Sequence, residues 1–375
     1  MKDYLIYVLV QPSGSNDYWI KRLIEGIKDE AQHNKRHVKA AYFSVQEETE
    51  FLSFGEQPVL LVGTTTKWFS SSAAYVRSHG GYPIYVGACL PKLPYDFGGA
   101  YFAIEQAVRD CISYLEQLGK KHLVLVGLNP SSDADHKKAK VFREHADNTW
   151  ISDPVFFCEH AGLEESISEY VKKVLALGAD AMICSNDTTA ILAISYLKKQ
   201  NVAVGKEYPV LGMGNSFLGM NASPSLTSVN FDYYALGREA VRLYDYQLHS
   251  DHGVISHVRI PTELIIRDST GAIPFDDRKI AVNIGNQNLP DYFGGNLVSR
   301  LIMLENELQH CDSIDREIIF GMARKETYSQ LAGHLYLSER TLKYRLSHIL
   351  KRLGLRSKSE LYTLVQEVLG ENDTL

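Results

Sequence analysis

The 375-residue chain is predicted to be α/β, with two lobes of mostly parallel sheet followed by a compact all-α tail of four helices. Three observations carry this. Short apolar runs alternate with stretches at helical spacing through about residue 270, the rhythm of β-α units. That length is long for one open sheet, so it divides into two lobes. Beyond residue 313 the strand signals stop, and short capped helical segments follow. Apolar residues make up 45% and charged residues 22% of the chain, ordinary values for a soluble globular protein. The five cysteines (89, 111, 158, 184, 311) are scattered without a CxxC, which argues against a zinc knuckle or a disulfide framework. Neither a metal nor a cofactor is expected.

Tyr4–Val10 is a short apolar run suited to a buried parallel strand. Ile20–Asn34 follows as a helix, with Ile20, Leu23, Ile24, Ile27 and Ala31 on one face. Strands are expected at Ala40–Val45, Val59–Gly63, Tyr82–Val86, His122–Gly127, Pro154–Glu159, Ala179–Ser185 and Tyr208–Gly212. Helices are expected at Ser70–His79, Ala100–Leu118, Asp135–Asp147, Glu164–Ala176, Thr188–Gln200 and Tyr233–Tyr246.

Ligands of such folds sit beyond the carboxyl ends of strands. Three of those ends are polar here. The first strand leads into Gln11 through Trp19, with Asp17, Tyr18 and Trp19 at its close. Another ends in Asn186-Asp187, and a third in Met213-Gly-Asn215-Ser216. Amides, hydroxyls, carboxylates and paired aromatics suit a small polyhydroxylated ligand, with hydroxyls held by polar groups and a ring packed on a sugar face. Taken singly, Asn186 and Asn215 equally suit caps or turns, and Trp19 equally suits core. The sequence contains no P-loop, GxSxG or HExxH. His122, His136 and His160 stand without a paired nucleophile and read as surface or satisfied residues. No enzymatic reading follows.

Several blocks resemble the effector domain of the lac/gal-repressor family. They are Asp180–Ala190, Val210–Asn215, Ser228–Ala240 and Pro261–Ser269, with Ser15–Ile20, Ile24–Ile27, Asp96–Ala103 and Leu118–Val126 before them, all in family order. The resemblance covers about residues 4–270. It implies a two-lobed, periplasmic-binding-protein type I sensor hinged around a ligand cleft. The family places an arginine in the helix after Gly127. Here Lys137 or Lys138 stands there, and Lys138 is taken as a candidate ligand contact. The family's carboxylate in the Gly212–Gly214 turn is replaced by Gly214-Asn215. The family also has a DNA-binding headpiece before the first strand. Here that strand begins at residue 4, so such a unit is expected at the other end.

Net charge is −6, but between Arg340 and Lys358 there are seven Lys/Arg and no Asp or Glu. A basic island on an acidic chain is a nucleic-acid signature, although a solvated helix face would look the same. Gly271–Gly295 reads as a connector with at most a short strand at Ile280–Ile284. Leu297, Leu301, Leu304 and Leu308 then form a 4-3-4 seam on the helix Asn296–His310, suited to dimerisation or to packing on its own domain. Helices follow at Arg316–Lys325, Tyr328–Leu335, Glu339–Gly354 and Ser357–Leu369, with Ser338 and Ser357 as N-caps. The second and third match helix-turn-helix order. In the third, Leu342, Leu346, Ile349, Leu350 and Leu353 form the apolar face. Ser338, Arg340, Thr341, Lys343, Tyr344, Ser347 and Lys351 lie at its start or largely off that face, and Arg352 and Arg356 add charge at its end. Lys343, Tyr344 and Ser347 are placed to approach base edges, and Arg340, Lys351, Arg352 and Arg356 to meet phosphates.

The stretch Leu337–Leu361 resembles the LuxR/GerE helix-turn-helix family in its Ser-x-x-Thr-Leu-Lys start and its Leu-x-x-Ile-x-x-basic-Leu-Gly continuation. The resemblance covers residues 313–367. Arg345 stands where that family often has histidine, so no base preference carries over. The expected organisation is an effector domain over 1–271, a connector with a possible dimerisation helix over 272–312, and a DNA-binding domain over 313–375. The expected function is a transcription regulator whose partners are an operator DNA, a sugar-like effector and a second copy of itself. A second reading is a solute-binding sensor whose tail docks a protein partner; the basic third helix counts against it. No apolar run approaches the roughly 18–20 residues of a membrane span, and Met1-Lys2-Asp3 lacks the positive start of a signal peptide. A cytoplasmic protein without a membrane partner is therefore expected.

Overall fold

The computed structural model describes residues 5–12, 18–44, 53–90, 96–146, 150–158, 162–250, 255–275 and 296–369. Of the features singled out above, Asp17, His160 and the strand at Ile280–Ile284 lie outside the described residues.

Two six-stranded sheets form the lobes. The first contains β1 (Leu5–Val10), β2 (His37–Tyr42), β3 (Pro58–Val62), β4 (Tyr82–Gly87), β5 (Gly99–Phe102) and β11 (His257–Ile260). Their order is β11-β5-β4-β3-β1-β2, and every pairing is parallel. The second contains β6 (Leu123–Leu128), β7 (Val155–Phe157), β8 (Ala181–Cys184), β9 (Val210–Met213), β10 (Thr227–Asn230) and β12 (Glu263–Ile265). Their order is β12-β10-β9-β8-β6-β7, with only β12 antiparallel. The continuous apolar runs of β3, β6, β8 and β9 are buried throughout, because helices cover both faces of a parallel sheet. β2, at the edge, buries none of its residues fully: His37, Lys39, Ala40 and Tyr42 are exposed, and Val38 and Ala41 are half-buried.

Helices α1 (Tyr18–His33), α2 (Thr66–Ser78) and α8 (Tyr233–His249) cover the first sheet. Helices α3 (Ile104–Gln117), α4 (Asp133–His145), α5 (Leu163–Ala176), α6 (Asp187–Lys199) and the short α7 (Phe217–Met220) belong to the second. The chain therefore crosses between lobes three times: between β5 and α3, between β10 and α8, and between β11 and β12. This is the two-lobed arrangement that the effector-domain resemblance implies. The helix expected from Ala100 starts later, at Ile104; Gly99–Phe102 is a strand, because β4 and β11 pair with it from either side. The strands β10, β11 and β12 were likewise not assigned. They are three or four residues long, too short for a period-2 pattern to stand out.

Among the described residues the tail has five helices: α9 (Asn296–His310), α10 (Ser313–Ala323), α11 (Tyr328–His334), α12 (Glu339–Arg352) and α13 (Lys358–Leu369). The leucine seam of α9 is not left for a second chain. Leu301, Leu304 and Leu308 of the seam are buried in the chain's own core together with Val298, while Leu297 is half-buried, and α9 packs on α5, α6, α7 and α13. A 4-3-4 spacing specifies one apolar face but not whose surface covers it. The tail thus shares a hydrophobic core with the second lobe.

The caps follow the sequence. Thr327 and Gln330 form a reciprocal capping box on α11. The Thr341 amide donates to Ser338 Oγ at 3.1 Å at the start of α12. Gly354 ends that helix with φ +64, a left-handed residue.

Candidate functional site

The carboxyl ends of the two sheets face each other. Thr66, opening α2 on the first lobe, donates through Oγ1 to Asp133 Oδ2 at 2.5 Å, opening α4 on the second. Behind this bridge, the Lys137 ammonium meets Glu105 at 2.6 Å. Burial would raise the Glu105 carboxyl, but the hydrogen bond from Lys137 holds it below its ordinary value. Cys89, at the end of β4, is buried beside the charges of Lys137, Asp133 and Glu105, and burial pushes its thiol up to about 12. It is therefore a neutral wall residue at physiological pH.

An aromatic bank closes another side. Trp19, half-buried at the start of α1, packs on Tyr233 with ring centroids 5.4 Å apart, and Phe102 lies edge-on to Tyr233 at 5.1 Å. Tyr233 opens α8 just after the second crossing, so the bank spans a hinge strand and the first helix. Tyr18, beside Trp19, is half-buried, and burial raises its hydroxyl.

The second lobe contributes a tight polar network. Asp187 is 4% exposed. Its carboxylate accepts the Ser216 amide at 2.6 Å and the Ser228 hydroxyl at 2.5 Å. Burial raises its pKa, against the opposing effect of those hydrogen bonds. Asn215, at φ +50, accepts Arg267 Nη2 at 2.6 Å and donates to Asn230 Oδ1 at 3.3 Å. Arg267 also donates to the Leu226 carbonyl at 2.6 Å.

The sequence-selected residues divide accordingly. Asp187 and Asn215 come together on one network; Tyr18 and Trp19 stand side by side at the start of α1, with Trp19 packed on Tyr233. Asn186 caps α6, accepting the Thr189 amide at 2.8 Å. Gln11 accepts the Thr64 amide at 2.8 Å and donates to Thr65 Oγ1 at 3.2 Å, so its amide shapes the β3–α2 loop. Lys138 is buried and committed to Asp135 at 2.6 Å and the Ser185 carbonyl at 2.8 Å. Its neighbour Lys137 is the cation beside the interlobe bridge. His122 and His136 rest on the Gly178 and Pro130 carbonyls. Thr66, Asp133, Tyr233, Asn230 and Arg267 were not singled out from sequence. Arg267 lies within the Pro261–Ser269 block, but nothing local shows that it meets Asn215, 52 residues earlier.

On the tail, Leu342, Leu346 and Ile349 of α12 are buried, while Ser338, Arg340, Thr341, Lys343, Tyr344, Ser347, Lys351 and Arg356 are exposed. Lys343 makes an exposed pair with Glu339 at 2.7 Å, of little energetic weight, and its ammonium lies 5.0 Å from the centre of the Tyr328 ring. Arg352 differs. Its Nη2 meets the buried Glu307 of α9 at 2.5 Å and its Nε donates to the same carboxylate at 2.7 Å. That guanidinium therefore anchors α12 rather than standing free for phosphate. Arg345 likewise binds Asp312 and Asp315. Tyr336, in the turn between α11 and α12, was not selected from sequence; it is 97% exposed at φ +53.

The two sheets, the three crossings and the polar interlobe site define a periplasmic-binding-protein-like fold, carrying a helical tail. Among described families, "Periplasmic binding protein-like domain" matches residues 112–270. The chain is similar to the HTH-type transcriptional repressor CytR of Escherichia coli K12, 27% identical over 171 residues, which are 45% of this chain and 50% of that protein. It is also similar to the HTH-type transcriptional regulator GalR of Streptococcus thermophilus, 24% identical over 44% of this chain and 53% of that protein. The chain thus spans about half the length of the curated relatives it matches. Among solved structures, the transcriptional regulator CelR–cellobiose complex superposes with a TM-score of 0.58, at 16% identity, over 71% of this chain and 84% of that one. No helix among the described residues is long and apolar enough to cross a membrane.

Proposed function

We propose that the chain is a cytoplasmic, ligand-responsive transcription regulator. A small polyhydroxylated effector, a sugar or sugar derivative, binds between the lobes. The tail, a LuxR/GerE-type helix-turn-helix, binds an operator through α12. Two copies act together, since one such module offers few contacts and specific operators mirror a protein two-fold. The observation that carries the reading is the division of α12: an apolar side sealed in the core, and a side of Ser338, Arg340, Thr341, Lys343, Tyr344, Ser347 and Lys351 held in solvent. The cellobiose bound by CelR and the regulator names of the relatives support the two halves of the proposal.

Two substitutions test it by separating phosphate from base contacts. Lys351→Ala should weaken binding to all duplexes alike and reduce the salt slope by about 1. Lys343→Ala should cost about 1–3 kcal/mol mainly on the selected operator. Fluorescence anisotropy on specific and scrambled duplexes over a range of salt reads both effects. Equal, salt-independent behaviour of both variants would remove α12 from the interface.

A further inference from the structure

We infer that α9 is a rigid relay joining the Asn215–Leu218 loop of the effector site to the recognition helix α12. The inference deepens the reading above and rests on it for its purpose, since it concerns how that site would regulate that tail.

The loop end of the relay is built from backbone. Ser216 is held from inside the site, its amide donating to Asp187 at 2.6 Å. The next two amides turn the other way. Phe217 N donates to Glu305 Oε1 at 2.9 Å, and Leu218 N donates to Glu305 Oε2 at 2.7 Å. Glu305 belongs to α9, and Gln309, one turn on, steadies its carboxylate at 2.6 Å. One face of this loop is thus bonded to the site and the following residues to the tail. Arg316 of α10 adds a second grip: its guanidinium lies 4.1 Å from the centre of the Phe217 ring, while its Nε donates to the Leu308 carbonyl at 2.7 Å.

The DNA end begins two residues further along the same helix. Glu307 is 6% exposed and carries the Arg352 pair described above, with Cys311 Sγ also directed at it at 3.3 Å. Residues i and i+2 of an α-helix lie about 200° apart around its axis. Glu305 and Glu307 therefore project to opposite sides of α9, one toward α7 and one toward α12. Between them, Val298, Leu301, Leu304 and Leu308 seat α9 in the core, so the helix moves as a body rather than bending. A shift of the Asn215–Leu218 loop would displace Glu305, and with it Glu307 and the carboxyl end of α12. Charge-assisted bonds at both ends make this linkage stiff.

Hydrogen exchange on the full chain, without effector or DNA, tests the relay. Glu305→Gln keeps the side-chain shape but removes one of two acceptor oxygens. It should speed exchange about tenfold at Phe217 or Leu218, and also raise it severalfold across residues 345–352, which Glu305 does not touch. Coupling between sites is reciprocal, so Arg352→Gln should speed exchange at Phe217 and Leu218. Amides of β1 should be unchanged in both. A response confined to α7 and α9 in the first variant, and to α12 and α9 in the second, would overturn the inference. So would a uniform rise that includes β1, which reports global destabilisation only. If Glu305→Gln does not fold, Arg352→Lys carries the same test: it keeps the charge and loses the forked geometry. None of these outcomes depends on DNA or sugar binding. A chain that bound neither could still show the relay, and a silent α12 would leave the regulator reading standing.

Discussion

Replacing Asp187 by alanine is expected to lower the unfolding free energy by about 3 kcal/mol, since hydrogen bonds to a charged group are worth about 1.5–3 kcal/mol each. Two donors, the half-buried Ser216 amide and the buried Ser228 hydroxyl, would lose their shared acceptor. Gly212 lies close against the same carboxylate: a Cβ there would stand 2.3 Å from Asp187 Oδ1. The pocket is therefore shaped around this side chain and collapses poorly without it. Urea unfolding of the two proteins measures the difference, and a change under about 0.5 kcal/mol, the range of ordinary surface substitutions, would show the network to be loose. The pH dependence has a definite sign. Burial raises the Asp187 carboxyl in the native state above its ordinary value of 3.8, so the folded chain holds this proton more tightly than the unfolded chain. Its contribution is then fully present below pH 3.8 and declines as pH rises through the higher native value. Asp187→Asn, which cannot titrate, should remove that decline.

Gly26→Ala is expected to destabilise by about 2–3 kcal/mol, at the upper end of ordinary overpacking because the obstacle is backbone. Helices α1 and α8 cross at Gly26 and Gly237. A Cβ on Gly26 would lie 2.1 Å from the Tyr234 carbonyl oxygen, and one on Gly237 would lie 2.2 Å from that of Leu23. Neither oxygen can rotate away, so the helices must part and loosen Leu23, Ile27, Leu236 and Val241 around the crossing. Alanine's higher helix propensity, about 1 kcal/mol over glycine, offsets only part of this. The two helices begin at Tyr18 and Tyr233, so their separation should also disturb the Trp19–Tyr233 pair at the hinge. Thermal unfolding gives the stability loss. An unchanged Tm would contradict the close crossing.

Much of this architecture is legible in the sequence. The buried strands of a parallel sheet are near-continuous apolar runs, and β1, β3, β4, β6, β8 and β9 stand out for that reason. The tail is legible through its caps: Ser338, Ser357 and Gly354 mark helix ends whose hydrogen bonds are local. The residues at strand ends are harder. Composition shows that Asn186, Lys138 and Gln11 are polar and well placed, but not that neighbouring backbone groups occupy them. Arg267 and Thr66 reach the site through contacts with partners 52 and 67 positions away in the chain, which no local pattern records. Arg352 shows the same limit in reverse. It belongs to the basic island by sequence, yet Glu307, 45 residues earlier, takes its charge.

The regulator account is tested most directly by selection of bound duplexes from a random-sequence pool by the full-length protein, repeated with a panel of mono- and disaccharides. One enriched motif with two-fold symmetry is expected, lost on Tyr344→Ala, its retention changing at least about fivefold with one sugar, the lower end of ordinary allosteric coupling. Recovery of no enriched sequence at low salt, with or without every sugar in the panel, would contradict it.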